Sequence, residues 1–222
     1  MKNNVLTEKD IAKLPQGSPC YVLRGTIVTV LARERAAQRQ NNIYECENTD
    51  EITGLKAYSK RIALGSDAAC VTQRVQLVEF LEENGYLVLD CGDESQDSGQ
   101  CLPVGLKVAT AVRTGKAHRG VALENGGPGP TILANKVPGI RAAFCYDRLS
   151  AKNSRQYDDT NFLALSLEAN SIDQMKIVLS TWLDTPFDED RYQYRVTRIE
   201  ELENEVLKGS MVAIPGDCSC AL

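Results

Sequence analysis

The sequence holds a single histidine, His118, among its 222 residues, and no Cys-x-x-Cys pair. A zinc site built from cysteine and histidine therefore has few candidate ligands, and we expect no metal. The eight cysteines are scattered along a chain without a secretory signal, so we expect them to be reduced and mostly buried. Cys218 and Cys220 could bind a metal or form a strained disulfide, but a loose tail is the favoured interpretation.

Long apolar runs are also missing, and none approaches the roughly 18–20 residues that a membrane span needs. Residues 1–10 are polar and include acidic side chains, unlike a signal or transit peptide. The net charge of −5 gives no electrostatic reason to expect nucleic acid or an anionic membrane as a partner. We therefore expect a cytoplasmic protein without nucleic-acid or membrane partners.

The first part of the chain, residues 1–58, predicts a small N-terminal extension. Its capping residues, short apolar runs and Ala-rich stretch predict helix, strand, strand and helix at 7–14, 20–23, 26–30 and 31–40. Residues 41–58 are polar and predict a connection to the next unit. We place the domain boundaries at 1–58, 59–207 and a tail at 208–222.

From residue 59 onward, short apolar runs alternate with helical stretches. The predicted strands are 62–64, 86–89, 120–123, 140–144 and 162–166. Strands without polar alternation, spaced by helices such as 71–83, 172–183 and 189–207, predict an α/β fold. We expect a Rossmann-like three-layer sandwich with a five-stranded parallel sheet, which binds ligands beyond the carboxyl ends of its strands.

Two carboxylates follow predicted strands. Asp67 comes after the first strand, where capping of the next helix is the simplest interpretation of an aspartate. Glu124 ends the third strand, where partial desolvation would raise the pKa of its carboxyl toward the range of a general base. A solvated or salt-bridged loop residue is the competing interpretation of Glu124.

A Gly-rich loop follows Glu124 and leads into a helix. Such a loop lets the backbone approach a ligand, so its members are candidate ligand-binding residues: Asn125, Gly127, Gly129 and Thr131. Pro128 and Pro130 remove two backbone N–H donors from the same loop.

Arg191 and Arg195 lie one helical turn apart, so both guanidinium groups can face one phosphate. Pairing with the acidic neighbours Asp188, Glu189 or Glu200 is the alternative.

Several segments together resemble the type B ribose-5-phosphate isomerases and their galactose-6-phosphate isomerase relatives. They are Ile62-Ala-Leu-Gly-Ser-Asp67, Gly120-Val-Ala-Leu123, Ala134-Asn-Lys-Val-Pro-Gly-Ile-Arg-Ala-Ala143, Ser154-Arg-Gln-Tyr-Asp-Asp-Thr-Asn161, Thr181-Trp-Leu183 and Arg191-Tyr-Gln-Tyr-Arg-Val196. The resemblance implies a dimer, with a tetramer as the alternative, whose active sites lie at the subunit interface. It also implies a phosphorylated sugar as substrate, no cofactor, and proton transfer through an enediol.

The chain departs from that family's pattern at the catalytic positions. Asp67 is kept, but Ala68 and Tyr157 stand where the family has histidines, and Glu124 stands where it has a cysteine base. Asp158 replaces an asparagine, and His118 matches no catalytic position of the family. By this resemblance Glu124 is the candidate base, assisted by three residues at matching positions: Asp67, Tyr157 and Asp158. Arg191 and Arg195 would hold the phosphate.

A second, weaker resemblance links Leu6-Thr-Glu-Lys-Asp-Ile11 and Arg24-Gly-Thr-Ile-Val-Thr-Val-Leu-Ala-Arg-Glu-Arg-Ala36 to a short module on some bacterial microcompartment proteins. It implies association with a shell or another partner.

Two functions stay open. One is an aldose–ketose isomerase with altered catalytic residues, for which a substrate that is already open-chain would not need the lost histidines. The other is a non-catalytic subunit for sugar-phosphate binding or assembly.

Overall fold

A computed structural model describes residues 5–14, 19–39, 41–92, 101–126 and 128–209. No helix in these ranges is long and apolar enough to cross a membrane. Five cysteines lie among the described residues without a disulfide bond, and all but Cys91 are buried, as the sequence predicts: Cys20, Cys46, Cys70, Cys91 and Cys145.

The N-terminal extension contains short elements around a small core. In order they are β1 (Val5–Leu6), α1 (Glu8–Lys13), β2 (Cys20–Leu23), β3 (Ile27–Val28), α2 (Val30–Gln38), β4 (Ile43–Cys46) and α3 (Thr49–Ser59). Strand β1 pairs with β3 and β2 with β4, both in parallel. The core centres on Ile11, Val22 and Ala32, and Asn42 Nδ2 donates a hydrogen bond of 3.0 Å to Glu189 of the larger unit.

Residues 41–58, predicted only as a polar connection, contain β4 and most of α3. Ile43 packs against the small core, Cys46 is also buried, and the strand is held by its pairing with β2. Helix α3 starts behind Asn48, whose side-chain oxygen accepts the N–H of Glu51 at 2.8 Å. This helix cap can be predicted from the sequence. Strand β4 could not be predicted in this way, because it forms by pairing with β2, which is distant in the sequence.

The larger unit begins at residue 61. Its elements are β5 (Arg61–Ser66), a 3₁₀ turn (Ala68–Cys70), α4 (Val71–Glu83), β6 (Leu87–Asp90), α5 (Cys101–Arg113), β7 (Arg119–Glu124), α6 (Gly129–Ala134), β8 (Ala142–Phe144), α7 (Arg148–Asp158), β9 (Phe162–Ser166), α8 (Ile172–Asp184) and α9 (Glu189–Leu207). Strands β5 to β9 form one parallel sheet in the order β6-β5-β7-β9-β8. The predicted five-stranded parallel sheet is confirmed.

Two apolar layers sandwich the sheet. Ile62 and Leu64 pack with residues of α4, α7 and α8 on one face, whereas Ala63 packs with residues of α5 and α6 on the other. Since both faces of the central strands are covered, nearly every residue in them is buried. The Rossmann-like three-layer sandwich is therefore confirmed.

Trp182, the single tryptophan, is fully buried in this core. Its Nε1–H donates to Thr160 Oγ1 at 2.9 Å, which satisfies the one polar atom of the ring. The guanidinium carbons of Arg119 and Arg155 lie 5.3 and 5.9 Å from the ring centre. These cation–π contacts fix the ring between α8 and the amino ends of the strands.

Helix α9 matches its predicted bounds. The apolar and aromatic side chains at helical spacing along it, however, are buried only in its first half. Val196 is buried and the ring of Tyr192 packs on Tyr157, whereas Ile199 and Leu202 stay exposed in the described chain. Core packing therefore accounts for only the first half of the stripe.

Candidate functional site

The site is built where β5 and β7 end. In their register Ser66 lies opposite Leu123, so the next residues, Asp67 and Glu124, leave the sheet side by side. Asp67 Oδ1 accepts the N–H of Cys70 at 3.1 Å, which confirms the capping interpretation of this aspartate. Capping fixes the Asp67 carboxylate beside the Glu124 carboxylate.

Glu124 is buried, with 2% of its surface exposed. Burial raises the pKa of its carboxyl to about 7, and the negative charge of Asp67 adds to the shift. Among the described residues, none is within hydrogen-bonding distance of Glu124 Oε1. A buried carboxyl group without a partner and with a pKa near neutrality is suited to exchange a proton with a ligand.

The Gly-rich loop runs past this carboxyl group. A Cβ atom added to Gly129 would lie 3.8 Å from Glu124 Oε2, so Gly129 lies next to the carboxyl group. Thr131 Oγ1, two residues further along, is a second buried oxygen with no described hydrogen-bond partner. Gly127 lies outside the described residues. Asn125 is exposed, and Gly129 begins the short helix α6.

Two residues that the sequence did not suggest hold the loop. The Ser166 hydroxyl and the Glu168 N–H both donate to the carbonyl oxygen of Asn125, at 3.1 and 3.0 Å. Ser166 lies opposite Glu124 in the pairing of β7 with β9. Aligning the ends of the predicted strands would have identified Ser166, because neighbouring parallel strands end at the same edge.

A second group of predicted residues lies on α7 and α9. The ring of Tyr157 packs against Tyr192 with centroids 4.7 Å apart, and Asp158 accepts a hydrogen bond of 3.1 Å from Arg195. Arg195 is thus ion-paired, in line with the alternative that these arginines bind acidic neighbours, although its partner is Asp158. Arg191 is exposed, and no ion pair of the described residues involves its guanidinium.

The two groups lie at opposite ends of the parallel strands, which form the carboxyl edge and the amino edge of the sheet. Glu124 is at the carboxyl end of β7, whereas α7 starts after β8 and runs back to the amino end of β9, where Tyr157 and Asp158 lie. Strand β7 has six residues and spans roughly 20 Å. One chain therefore does not bring the arginines to the Glu124 carboxylate.

His118 precedes β7 at the amino edge, at the far end of the strand from Glu124. Burial and the positive charges of Arg119 and Arg155 lower the pKa of the His118 imidazole to about 4. The ring is therefore neutral at physiological pH. His118 therefore lies away from the carboxyl edge.

Within the part of the chain that the structure describes, no group of three or more histidine, cysteine or acidic side chains could hold a metal ion. The candidate groups that the structure describes at this end of the sheet are the carboxyl group of Glu124, the neighbouring charge of Asp67 and the hydroxyl of Thr131.

The parallel sheet between two helical layers defines a Rossmann-like α/β protein, a class whose members bind ligands at the carboxyl ends of their strands, where Glu124 lies. The chain belongs to the family described as Ribose/Galactose Isomerase, whose profile matches residues 62–199.

Known members of the family are similar over the same region. The chain is 34% identical to ribose-5-phosphate isomerase B of Escherichia coli over 65% of this chain and 97% of that protein. It is 31% identical to D-erythrulose-4-phosphate isomerase of Pectobacterium atrosepticum over 65% of this chain and 95% of that protein. The solved structure of Clostridium thermocellum ribose-5-phosphate isomerase B superimposes with a TM-score of 0.63 at 38% identity, covering 66% of this chain and 99% of that one.

The matched region contains every candidate site residue and starts after the N-terminal extension. The predicted family is therefore confirmed, whereas microcompartment association stays a prediction. Apolar side chains on the extension are exposed, namely Val5, Ile27, Val30 and Leu31.

Proposed function

We propose that this chain is an aldose–ketose isomerase that acts on a phosphorylated sugar, with Glu124 as the base that moves the proton between two carbons. The observation that carries this proposal is the Glu124 carboxyl group, which is buried, has a pKa raised to about 7, and has no hydrogen-bond partner for Oε1 among the described residues. A general base works best when its pKa lies near the working pH.

The reaction needs one proton acceptor at carbon and donors at oxygen. Glu124 takes the proton from C2 of the open-chain aldose, the electrons of that C–H bond form the C1–C2 double bond, and O1 accepts a proton to give the enediol. The enediol then loses the proton on O2 while C1 receives one from Glu124, which leaves the carbonyl at C2. No net oxidation occurs, so the step needs no cofactor.

The other candidates assist. The Thr131 hydroxyl, which has no hydrogen-bond partner among the described residues, would hydrogen-bond an oxygen of the substrate, with Asn125 and Gly129 as further candidates. Gly127, which lies outside the described residues, stays a candidate from the sequence. The negative charge of Asp67 helps to raise the pKa of the Glu124 carboxyl toward neutral pH. Such preorganised donors contribute strongly when charge develops on an enediol oxygen.

The phosphate clamp is proposed to come from a second copy of the chain. Arg191 and Arg195 lie at the opposite sheet edge from Glu124, so a homodimer that presents its amino edge to a partner's carboxyl edge would complete two equivalent sites. Tyr157 and Asp158 would enter the site together with the arginines and exchange the hydroxyl protons.

The test is hydrogen exchange in heavy water. The protein is incubated with a panel of sugar phosphates, and deuterium at C1 and C2 is followed by NMR. We expect incorporation with the wild type, and a loss of at least about 100-fold with Glu124→Gln, the range found for removing a general base. The matched control is Glu82→Gln, which alters an exposed glutamate on α4.

Absence of exchange across the panel, with sugar-phosphate binding still measurable by calorimetry, would favour the alternative of a non-catalytic binding or assembly subunit. Exchange that survives Glu124→Gln would keep the isomerase function but remove Glu124 from its role.

A further inference from the structure

The start of the Gly-rich loop breaks the alternation of backbone carbonyls that a strand shows. In a regular strand, the carbonyls of consecutive residues point to opposite neighbouring strands. Here the carbonyl of Glu124, the last residue of β7, accepts the N–H of Leu167 at 3.0 Å. The next carbonyl, that of Asn125, accepts the N–H of Glu168 at 3.0 Å and the hydroxyl of Ser166 at 3.1 Å. All three donors lie where β9 ends, so both carbonyls point to the β9 side.

The N–H groups of the same two peptides point the other way. A trans peptide holds its N–H opposite to its C=O, and both of these peptides are trans. The N–H groups of Asn125 and Gly126 therefore point away from β9, to the side of β7 on which β5 lies. Among the described residues, no hydrogen bond uses either N–H. Two adjacent N–H groups on one side of the backbone are suited to bind a negatively charged oxygen.

Ser166 is the side chain that fixes this arrangement. It is buried, and its hydroxyl donates to the Asn125 carbonyl while accepting the N–H of Glu168 at 3.2 Å. The Glu168 carboxylate covers one face of Gly126, since a Cβ atom added to that glycine would lie 2.7 Å from Oε2. Without the hydroxyl, the Asn125 carbonyl would keep a single donor, a backbone N–H, and the Asn125–Gly126 peptide would be held less firmly.

From this geometry we infer that Ser166 is a positioning residue of the isomerisation, acting through the Asn125–Gly126 peptide. It orients the N–H groups of Asn125 and Gly126 toward the substrate oxygen on which negative charge develops. The inference rests on the proposed isomerase function and adds to it a residue that does not touch the substrate.

The charge arises as Glu124 takes the proton from C2 and the electrons move toward O1. Donors that are fixed in advance stabilise this charge before O1 is protonated. The two N–H groups donate hydrogen bonds and transfer no proton, so the bonds made and broken are those of the proposed isomerisation. Ser166 should therefore affect the rate of the chemical step more than the binding of the sugar phosphate.

The test is Ser166→Ala in the full-length chain, with kcat and KM measured for the sugar phosphate, D-ribose 5-phosphate included, that exchanges fastest with the wild type. We expect kcat to fall roughly 10-fold, the size of one lost hydrogen bond, with KM little changed. The pH midpoint of kcat/KM should stay in place, because the hydroxyl binds the loop and not the Glu124 carboxyl group. Ser166→Thr, which keeps a hydroxyl, should restore most of kcat.

The matched control is Ser180→Ala, which removes a hydroxyl that donates to the carbonyl of Lys176 within α8, and it should leave kcat unchanged. Circular dichroism checks the fold of each variant. If Ser166→Ala does not fold, Ser166→Cys replaces it with the same expected loss, because a thiol is similar in shape but a weak donor.

A second measurement follows the Gly126 amide itself. The protein is labelled with ¹⁵N-glycine, and the Gly126 resonance is assigned by its loss in Gly126→Ala. Saturation with the same sugar phosphate should shift this resonance in the wild type and shift it clearly less in Ser166→Ala.

The outcomes separate the inference from the function on which it rests. Wild-type kcat in folded Ser166→Ala would overturn the inference and leave the isomerase intact. A rise in KM at unchanged kcat, or a moved pH midpoint, would also overturn it, because Ser166 would then act on binding or on Glu124. An equal shift of the Gly126 resonance in both proteins would exclude action through this peptide. No exchange with any sugar phosphate would remove the isomerase function, and the inference with it.

Discussion

The Glu124 carboxyl group has two opposite effects at the residue scale. Its burial brings the pKa to about 7, which suits a base, yet the same burial penalises the charged form in the folded chain. Asp67 adds to the shift while serving as a cap for the following turn. Both consequences can be measured separately.

The pH dependence of catalysis should change with Asp67→Asn. The carboxylate is the active form of Glu124, so kcat/KM should rise with pH and level off above about 7. Removing the charge of Asp67 lowers the pKa of Glu124, so the midpoint should move to lower pH. It should remain above the ordinary value of 4.5, because burial is the larger cause. The measurement is a pH profile of kcat/KM.

Asn also accepts the Cys70 N–H, so the turn should persist, and an unchanged circular dichroism spectrum serves as the control. A midpoint that stays in place, or moves upward, would show that Asp67 does not act on Glu124 through its charge.

Stability should depend on pH through the same acid. The unfolded chain releases the Glu124 proton from about 4.5 and the folded chain from about 7, so the free energy of unfolding falls as pH rises between these values. Glu124→Gln removes this loss. The variant should therefore gain on the order of 2 kcal/mol more over wild type near pH 8 than near pH 5.

Urea unfolding at the two pH values measures this difference, with Glu82→Gln as the exposed control. An equal effect of Glu124→Gln at both values would mean that the acid is solvated in the folded protein.

At the scale of elements, α9 carries both a structural and a candidate binding face. Arg195 is tied to Asp158 at 3.1 Å, whereas Arg191 is exposed without a described ion pair. Arg198, one turn further on, pairs with Glu201 and Glu205. Helix α9 therefore carries Arg191, which has no described ion pair, Arg195, which pairs with α7, and Arg198, which pairs within α9 and can serve as a control.

Arg191→Gln should weaken substrate binding. A charge-assisted hydrogen bond to phosphate contributes about 1.5–3 kcal/mol, so KM should rise roughly 10-fold or more. Arg198→Gln should leave KM unchanged, since its partners are carboxylates of the same helix. The measurement is the KM of each variant from steady-state kinetics. Similar KM values for Arg191→Gln and Arg198→Gln would show that Arg191 does not reach the phosphate.

The strands and helices of the larger unit were predictable because their signals are local. Apolar runs such as 162–166 and the bounds of α4 and α9 follow from periodicity and punctuation. Strand β4 was missed because its polar sequence becomes a strand only through pairing with β2. In the site, the raised pKa of Glu124 followed from its place at a buried strand end, whereas the grip of Ser166 on the loop needed the strand register.

The molecule as a whole keeps its candidate residues at two edges of one sheet. Glu124 and Asp67 lie at the carboxyl edge, and Asp158 with the α9 arginines lies at the amino edge. If a complete site takes one edge from each of two chains, defects at the two edges should complement one another.

The test mixes two variants that are each expected to be inactive and measures the activity of the mixture. Glu124→Gln supplies an intact amino edge, and the double variant Arg191→Gln with Arg195→Gln supplies an intact carboxyl edge. After subunit exchange, half of the dimers are mixed and each regains one of its two sites, so roughly a quarter of wild-type activity should return. Activity that stays at the level of the separate variants would mean that the dimer does not share its sites in this way.

Trp182 gives the molecule an internal optical probe. Its indole is enclosed by the larger core and flanked by two guanidinium groups, so its emission depends on the packing of that core. The N-terminal extension contains no tryptophan and its core is separate. Tryptophan fluorescence will therefore report the unfolding of the larger unit. It will not report the unfolding of the N-terminal extension.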